Sequence, residues 1–226
     1  MKAISFFIPV KLLYFMIITA IYEDYKANLI TGNRRECTNI VKTLLAKNVS
    51  AKDIYIRLFQ KSLYEIGALW ETNKISVAVE HVCASITEGL ISLIYPRNFT
   101  DEGIRKKVII LCTPGENHQI GAKIVADYFE LNNWNSYFLG PDTPYNTIKD
   151  YINQNEPDLI AISLSVFFHL ISVLNLVRNL NKDFPDIKII VGGQGLNWSD
   201  ENAFASMKNV LIVKNLDELD IHIFKH

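Results

Sequence analysis

A single histidine lies in the loop GENHQIG, between a strand-like segment and a helix-like segment. The run before the loop, residues 107–112, is short and apolar, whereas residues 119–131 carry apolar side chains at helical spacing. A polar loop at the carboxyl end of a strand is where an α/β sheet binds ligands. Most glycine-rich loops there only turn the chain or hold a phosphate, so His118, flanked by Glu116 and Gly121, calls for a different explanation.

Five strand-like segments alternate with helix-length segments in the second half of the chain. They cover residues 108–112, 136–139, 159–164, 187–191 and 210–213. The alternation predicts an α/β fold with a parallel, doubly wound sheet. In a flavodoxin-like, Rossmann-like strand order the first, third and fourth strands are neighbours. Their loops TPGENHQIG, SLSVFF and VGGQGLNW would then form one site beside the topological switch point.

The first part of the chain, up to about Tyr95, has helical spacing and no good strand. Gly32 predicts the end of a first helix, and a second helix is predicted over residues 35–47. Ser50 and Asp53 have the spacing of a capping box, which predicts the start of a third helix. The apolar positions of this third helix are Ile54, Leu58, Leu63 and Ile66.

A fourth helix is predicted to begin at Ser76 and to stop at Pro96. Its apolar positions are Val79, Val82, Ile86, Leu90 and Leu93. With short connections between them, the four helices predict a four-helix bundle that precedes the sheet in the chain.

An apolar segment precedes the bundle, with an uncharged stretch over residues 12–22. This stretch is too short to span a bilayer. It predicts a helix that packs against the protein or faces a partner. A signal-peptide core is the alternative, although the charged start is thin and ITAIY is a poor cleavage site.

Composition narrows the class of protein. The 226 residues carry a formal net charge of −1 and no basic block, which disfavours direct contact with nucleic acid. The three cysteines are far apart and lie on apolar stretches, which is typical of reduced core thiols. We therefore expect a cytoplasmic protein that is not bound to a membrane.

The loop motifs resemble those of cobalamin-binding proteins that combine a helical-bundle cap with a Rossmann-like domain. The family signature is Asp-x-His-x-x-Gly, then Ser-x-Leu, then a Gly-Gly pair. The corresponding residues are Glu116, His118 and Gly121, a looser serine region at Ser163 and Ser165, and Gly192 with Gly193. The resemblance runs from about residue 21 to the C-terminus. It implies an extension over 1–20, a cap over 21–97 and a cobalamin-binding domain over 104–226.

The resemblance implies a role for each of these loop residues. His118 would be the lower ligand of cobalt, and Glu116 would hold the other ring nitrogen, fix the tautomer and raise the basicity. Gly121 would let the backbone approach a flat macrocycle, while Gly192 and Gly193 would leave room for the nucleotide tail. The plain alternative is that His118 only caps the helix that follows it.

A second motif lies in the predicted bundle, where nine residues separate Trp70 from the pair Glu80 and His81. It is similar to the cap of light-sensing cobalamin repressors related to the MerR regulators. That resemblance implies that the three residues cover the adenosyl group of the cofactor. It also implies that His81 can bind cobalt from above after light has removed the adenosyl group. The alternative is that Glu80 and His81 are solvated surface residues and that Trp70 is ordinary core.

The leading hypothesis is an adenosylcobalamin-dependent photoreceptor that regulates transcription through a protein partner or a change of homo-oligomer, without a DNA-binding domain of its own. Methylcobalamin is the other possible cofactor. The alternative function is a corrinoid methyl carrier of a methyltransferase system. A third possibility keeps the fold and binds haem or flavin instead. His169 is interpreted as a satisfied core or cap histidine, and His222 and His226 as incidental.

Overall fold

The structure is a computed structural model that describes residues 21–94, 105–205 and 207–224. The chain separates into two compact units, with the division between Tyr95 and Pro96. The predictions for the N-terminal segment 1–20, and for the helix stop at Pro96, lie outside the described residues.

The first unit is helical, as the sequence predicts. Helix α1 is described over residues 21–30. The helices that follow are α2 (Arg34–Ala46), α3 (Ala51–Ile54), α4 (Lys61–Glu71) and α5 (Val77–Ile94). A π-helical segment, Tyr55–Gln60, joins α3 to α4, so the third predicted helix is one continuous element with a wider turn inside it. The spacing of apolar residues did not predict that turn.

Two helix ends lie where the sequence predicts them, one at a glycine and one at a serine cap. Gly32 has a φ of +73°, a left-handed conformation that glycine adopts without strain, and it lies just after α1. The hydroxyl oxygen of Ser50 accepts a hydrogen bond from the backbone N–H of Asp53 at 3.0 Å. The predicted N-terminal cap at Ser50 is therefore confirmed.

One helix face differs from the prediction. Val82 was expected in the apolar stripe of α5, but it is 46% exposed, and Cys83 lies in the core in its place. The buried positions of α5 are Cys83, Ile86, Thr87, Leu90, Ile91 and Ile94. Because α5 is apolar on almost every side near its start, spacing alone could not identify which stripe is buried.

The second unit is the predicted α/β fold, and it includes a π-helical segment, Asp220–Phe224. Its strands are β1 (Lys107–Cys112), β2 (Asn135–Phe138), β3 (Leu159–Ser163), β4 (Lys188–Gly192) and β5 (Val210–Val213). Its helices are α6 (Ile120–Leu131), α7 (Tyr145–Asn155), α8 (Leu170–Asp183) and the short α9 (Leu216–Leu219). Short 3₁₀ segments lie at Phe167–His169, Gln194–Trp198 and Glu201–Phe204.

The five strands form one parallel sheet in the order β2-β1-β3-β4-β5, which confirms the flavodoxin-like prediction. In the register of the sheet Cys112 is paired with Ser163, and Ser163 is paired with Gly192. The last residues of β1, β3 and β4 therefore lie side by side, so the loops that leave them begin at the same edge of the sheet.

A buried apolar cluster holds α7 and α8 against one face of this sheet. Alternate strand residues contribute to it, as the two-residue period of a strand requires. Its strand members are Ile109, Leu111, Ile160, Ile162, Ile189 and Val191, and its helix members are Ile148, Ile152, Val173, Leu176, Val177 and Leu180. The loop edge is therefore attached to a rigid core.

The three cysteines are free and buried, which confirms the prediction of core thiols. Burial raises the pKa of the thiols of Cys37, Cys83 and Cys112 to about 11. The thiols are therefore protonated at neutral pH and poorly reactive.

Within the described residues, one helix, α5, has the length and composition to cross a membrane. Core helices of other proteins meet the same two criteria, so this is weak evidence for a membrane span. One side of α5 is packed in the core of the helical unit. The cytoplasmic location remains a prediction.

Candidate functional site

The loop that carries His118 is bonded to β3 through Thr113, the first residue after β1. The buried side chain of Thr113 donates a hydrogen bond from its hydroxyl to the carbonyl oxygen of Ser163 at 2.8 Å. The backbone N–H of Thr113 donates to the same oxygen at 3.0 Å. These two bonds extend the β1–β3 pairing by one residue and fix the direction in which the loop leaves the sheet.

Glu116 is the best-buried charged group of the described residues, with its side chain fully inaccessible to solvent. One carboxylate oxygen, Oε2, accepts the backbone N–H of Ser165 at 2.9 Å. The other, Oε1, lies 3.1 Å from Nδ1 of His118. A carboxylate without partners would be strongly destabilising at such a depth, so these contacts explain why the side chain is tolerated there.

His118 is held by its neighbours and yet reaches the surface. Its side chain is 57% exposed, and its backbone carbonyl accepts a long hydrogen bond from the Ser165 hydroxyl at 3.4 Å. With a carboxylate as the partner of Nδ1, the neutral ring carries its proton on that nitrogen, and Nε2 has the lone pair. This is the arrangement in which an imidazole binds a metal ion.

The two glycines at the end of β4 have a structural reason that does not depend on a ligand. A Cβ atom at Gly193 would lie 2.2 Å from the carbonyl oxygen of Leu164, and one at Gly192 would lie 2.9 Å from that of Val213. Gly193 also has a φ of +113°. Glycine at 193 lets the β3 and β4 loops pack this closely, and glycine at 192 lets β4 approach the end of β5. A role in making room for a nucleotide tail stays a prediction.

Gly121 lies in the first turn of α6, next to β3. A Cβ atom at this position would lie 3.6 Å from Oγ of Ser163, which is ordinary van der Waals contact. Packing within the chain therefore does not require glycine at this position. The expected approach of the backbone to a macrocycle stays a prediction.

The predicted residues of the α/β unit thus come together at one sheet edge. Glu116, His118 and Ser165 are joined by direct hydrogen bonds. Ser163 takes part mainly through its backbone carbonyl. The N-cap residue of α6 is Gln119 and not His118, and the side chain of Gln119 makes no capping hydrogen bond.

Trp70, Glu80 and His81 lie in the helical unit, at the end of α4 and the start of α5. Trp70 is 44% exposed, so it is not ordinary core. The side chain of His81 is 71% exposed, and its Nδ1 lies 2.7 Å from Oε2 of Glu80. The pair repeats the carboxylate–imidazole arrangement of Glu116 and His118, here between adjacent residues on a helix surface.

Two residues near the loop were not identified from the sequence as part of the site. Oδ1 of Asp142, which follows β2, accepts the backbone N–H of Gly115 at 2.9 Å. His169 was interpreted as a core or cap residue, but it is half-buried and makes no capping hydrogen bond at the start of α8. Its ring instead lies against Gly115. The segment GPDTP gave a turn signal around Asp142 and no indication of this contact.

A helical unit, a flavodoxin-like sheet and a histidine held by a buried carboxylate are the features that the resemblance to cobalamin-binding proteins implies. Two family models match the chain, each described as a B12 binding domain, over residues 21–95 and 106–213. The chain therefore contains both B12-binding domains, the helical one and the Rossmann-like one, and cobalamin binding is assigned to it. Neither model describes a DNA-binding domain.

One solved structure shares the fold of this chain at low sequence identity, and a second gives a weaker match. A monomethylamine corrinoid protein of Methanosarcina barkeri matches with a TM-score of 0.76 and 16% identity, over 90% of this chain and 97% of its own. A cobalamin-binding protein of Desulfitobacterium hafniense DCB-2 matches with a TM-score of 0.44 and 18% identity, over 86% of this chain and 93% of its own. No sequence match was found among curated proteins.

The residues at the sheet edge fit a corrinoid because His118 has the chemistry of a metal ligand. Its half-exposed imidazole has Nδ1 facing a buried carboxylate and can offer Nε2 to cobalt, as metal-binding histidines commonly do.

We expect Glu116→Gln to weaken cobalamin binding by about 10- to 100-fold, a typical loss for a residue that orients a metal ligand. The amide can keep one oxygen for the N–H of Ser165, but its NH₂ group would then face His118 Nδ1 and favour the wrong tautomer. Spectrophotometric titration with hydroxocobalamin measures the change. Asp150→Asn, at an exposed position on α7, is the matched control. Equal affinity of the two variants would show that Glu116 does not orient the histidine.

Proposed function

We propose that this protein binds cobalamin with His118 as the lower axial ligand and serves as a corrinoid carrier that presents the cofactor to a partner methyltransferase. The observation that carries the proposal is the buried Glu116 between His118 Nδ1 and the Ser165 N–H, in a chain that contains both B12-binding domains.

Each residue of the site has a task in this proposal. Glu116 orients His118 and keeps its proton on Nδ1, while Ser165 holds Glu116 in place from the neighbouring strand. Thr113 ties the start of the loop to β3. When bound, the corrinoid supplies a cobalt centre that can hold a methyl group and pass it on.

The fold supports the carrier over the sensor as the first candidate. The similarity to the monomethylamine corrinoid protein extends over nearly the whole of both chains, helical unit included. A carrier also needs protein partners. In this proposal the expected protein partner is a methyltransferase.

The light sensor is the second candidate because of the Trp70, Glu80 and His81 set. Trp70 offers an exposed aromatic surface that could pack on an adenosyl group, and the Glu80 contact orients His81 in the way that suits a metal ligand. In this function the cofactor is adenosylcobalamin. The response is a change of homo-oligomer or of a regulatory partner, and any effect on transcription passes through that partner.

Trp70→Ala separates the two candidates by its effect on different cofactor forms. For a sensor, the variant loses more affinity for adenosylcobalamin than for methylcobalamin, because only the larger group needs the indole surface. For a carrier, which is the expected result, both affinities change by the same factor. Tyr64→Ala is the matched control, since Tyr64 is an exposed aromatic residue on the same helix. Titrations in the dark give the four affinities.

A second experiment tests the proposed function directly. Protein loaded with labelled methylcobalamin is mixed with purified corrinoid-dependent methyltransferases, and the label is followed to the methyl acceptor. Transfer that disappears in His118→Ala supports the carrier. If no transfer occurs, while illumination of the adenosylcobalamin form changes the mass measured by light scattering in the wild type but not in His81→Ala, the sensor replaces the carrier.

A further inference from the structure

The backbone at Gly115 is held from two sides by residues that belong to neither B12 sequence motif. From one side, Oδ1 of Asp142 accepts the Gly115 N–H at 2.9 Å. From the other side, the ring of His169 approaches. Its Cε1 and Nδ1 lie 3.5 and 3.6 Å from the position that a Cβ atom of residue 115 would take. Asp142 follows β2 and His169 follows β3, so the two contacts come from the segments after the strands on both sides of β1.

Gly115 is the residue at which the loop turns towards His118. It has a φ of +82°, a left-handed conformation that glycine adopts without strain. Glycine also has the widest choice of backbone conformations, so contacts from neighbouring residues determine how firmly this turn is held. The next residue, Glu116, is already fixed through Thr113 and Ser165. With Gly115 held as well, the start of the segment that carries His118 has little freedom.

Asp142 has features that suit it to this contact. It has a φ of +52°, the left-handed region that Asp and Asn tolerate best among residues with a side chain. A carboxylate that accepts a backbone N–H forms a stronger bond than a neutral acceptor. The contact spans 27 positions of sequence, so it links two loops that would otherwise move independently.

We propose that Asp142 is a positioning residue for the lower-ligand histidine: by holding Gly115 against His169 it presets the β1–α6 loop in the geometry that presents His118 to the corrinoid. This inference rests on the proposed lower-ligand role of His118. Preorganisation of this kind raises affinity because the loop need not be ordered when the ligand binds. Asp142 acts through Gly115 and need not contact the cofactor itself.

Two variants of Asp142 test whether its side-chain oxygen, which accepts the Gly115 N–H, is what holds the loop. Asp142→Gly relieves the positive φ and removes the acceptor, whereas Asp142→Asn keeps both the tolerance of this φ and an oxygen acceptor. In protein without cofactor, we expect amide hydrogen exchange at Gly115 to be at least several-fold faster in Asp142→Gly than in wild type, and close to wild type in Asp142→Asn. Exchange at β1 and β3 amides reports whether the sheet itself remains intact.

The same three proteins are then titrated with hydroxocobalamin. We expect Asp142→Gly to bind about 3- to 10-fold more weakly, with a smaller histidine-ligated fraction in the visible spectrum, a size typical of a lost solvent-exposed hydrogen bond. Asp142→Asn should retain most of the wild-type affinity and most of the histidine-ligated fraction. Equal behaviour of the two variants in exchange and in binding would overturn the proposal.

The failure of the lower-ligand assignment would look different. In that case the wild type and both variants would all bind without any histidine-ligated spectrum, while the exchange rates would still show whether Asp142 holds the loop. Faster exchange in Asp142→Gly with unchanged cobalamin affinity and spectrum would leave Asp142 as a purely structural residue and contradict its positioning role.

Discussion

His118→Ala is expected to abolish histidine ligation of bound cobalamin and to reduce affinity more than any other single change in the site. In the proposed site the imidazole is the donor itself, whereas Glu116, Ser165 and Asp142 would act through it. Alanine also leaves the buried carboxylate of Glu116 with only the Ser165 N–H as its protein partner among the contacts described above, which costs the loop some of its order. The visible spectrum of the hydroxocobalamin complex and its dissociation constant measure the effect.

His222→Ala is the matched control for this change. His222 is an exposed histidine near the C-terminus of the same unit, and its removal should leave both spectrum and affinity unchanged. Restoration of the histidine-ligated spectrum by added imidazole would show that the His118→Ala protein is folded and lacks only the donor. A variant that kept the wild-type spectrum would refute the assignment of His118.

Gly193→Ala should produce the largest loss of stability in the α/β unit. A Cβ atom would lie 2.2 Å from the carbonyl oxygen of Leu164, where backbone cannot move aside cheaply. The residue also has φ and ψ of +113° and 160°, a region that is essentially restricted to glycine. Strain and overlap together are expected to lower the free energy of unfolding by about 3 kcal/mol or more.

Gly140→Ala separates these two contributions. Gly140 also has a positive φ, +77°, but nothing lies within 4 Å of its would-be Cβ atom, so it reports the conformational cost alone, about 1–2 kcal/mol. Urea unfolding followed by circular dichroism, with exchange at β3 and β4 amides to assign the change to this unit, gives both values. If Gly193→Ala costs no more than Gly140→Ala, then the two loops do not pack as closely as described here.

The architecture was largely predictable because the patterns that encode it are local. Alternating strand-like and helix-like segments predicted every strand of the α/β unit to within one residue at each end, and the strand order agreed. The cap at Ser50 was predicted because a capping contact spans only three residues. Val82 was assigned to the wrong face because the start of α5 is apolar around most of its circumference, so periodicity carries little information there.

The candidate site was predictable where the chemistry lies in a short motif. Glu116 and His118 are two residues apart, and their contact agrees with the role expected from the resemblance. The bond from the Ser165 N–H to Glu116 and the bond from Gly115 to Asp142 join residues 49 and 27 positions apart. Both use backbone N–H groups, which every residue except proline possesses, so no residue type in the sequence marks them.

The glycines show a different limit. Gly192 and Gly193 were singled out from the resemblance as residues that make room for a ligand, whereas the structure supplies a contact within the chain that already requires them. Room for a ligand and close packing within the chain both predict glycine, so the sequence alone cannot distinguish between them.

The most direct test of the central claim is electron paramagnetic resonance of the protein loaded with cob(II)alamin, prepared once with natural-abundance histidine and once with ¹⁵N-labelled histidine. If His118 is the lower ligand, each cobalt line splits into three with ¹⁴N and into two with ¹⁵N, and the two-line pattern disappears in His118→Ala but not in His222→Ala. A three-line pattern that persists with labelled histidine, or a pattern without nitrogen splitting, would mean that cobalt is ligated by the cofactor's own base or by no nitrogen, and would contradict the account.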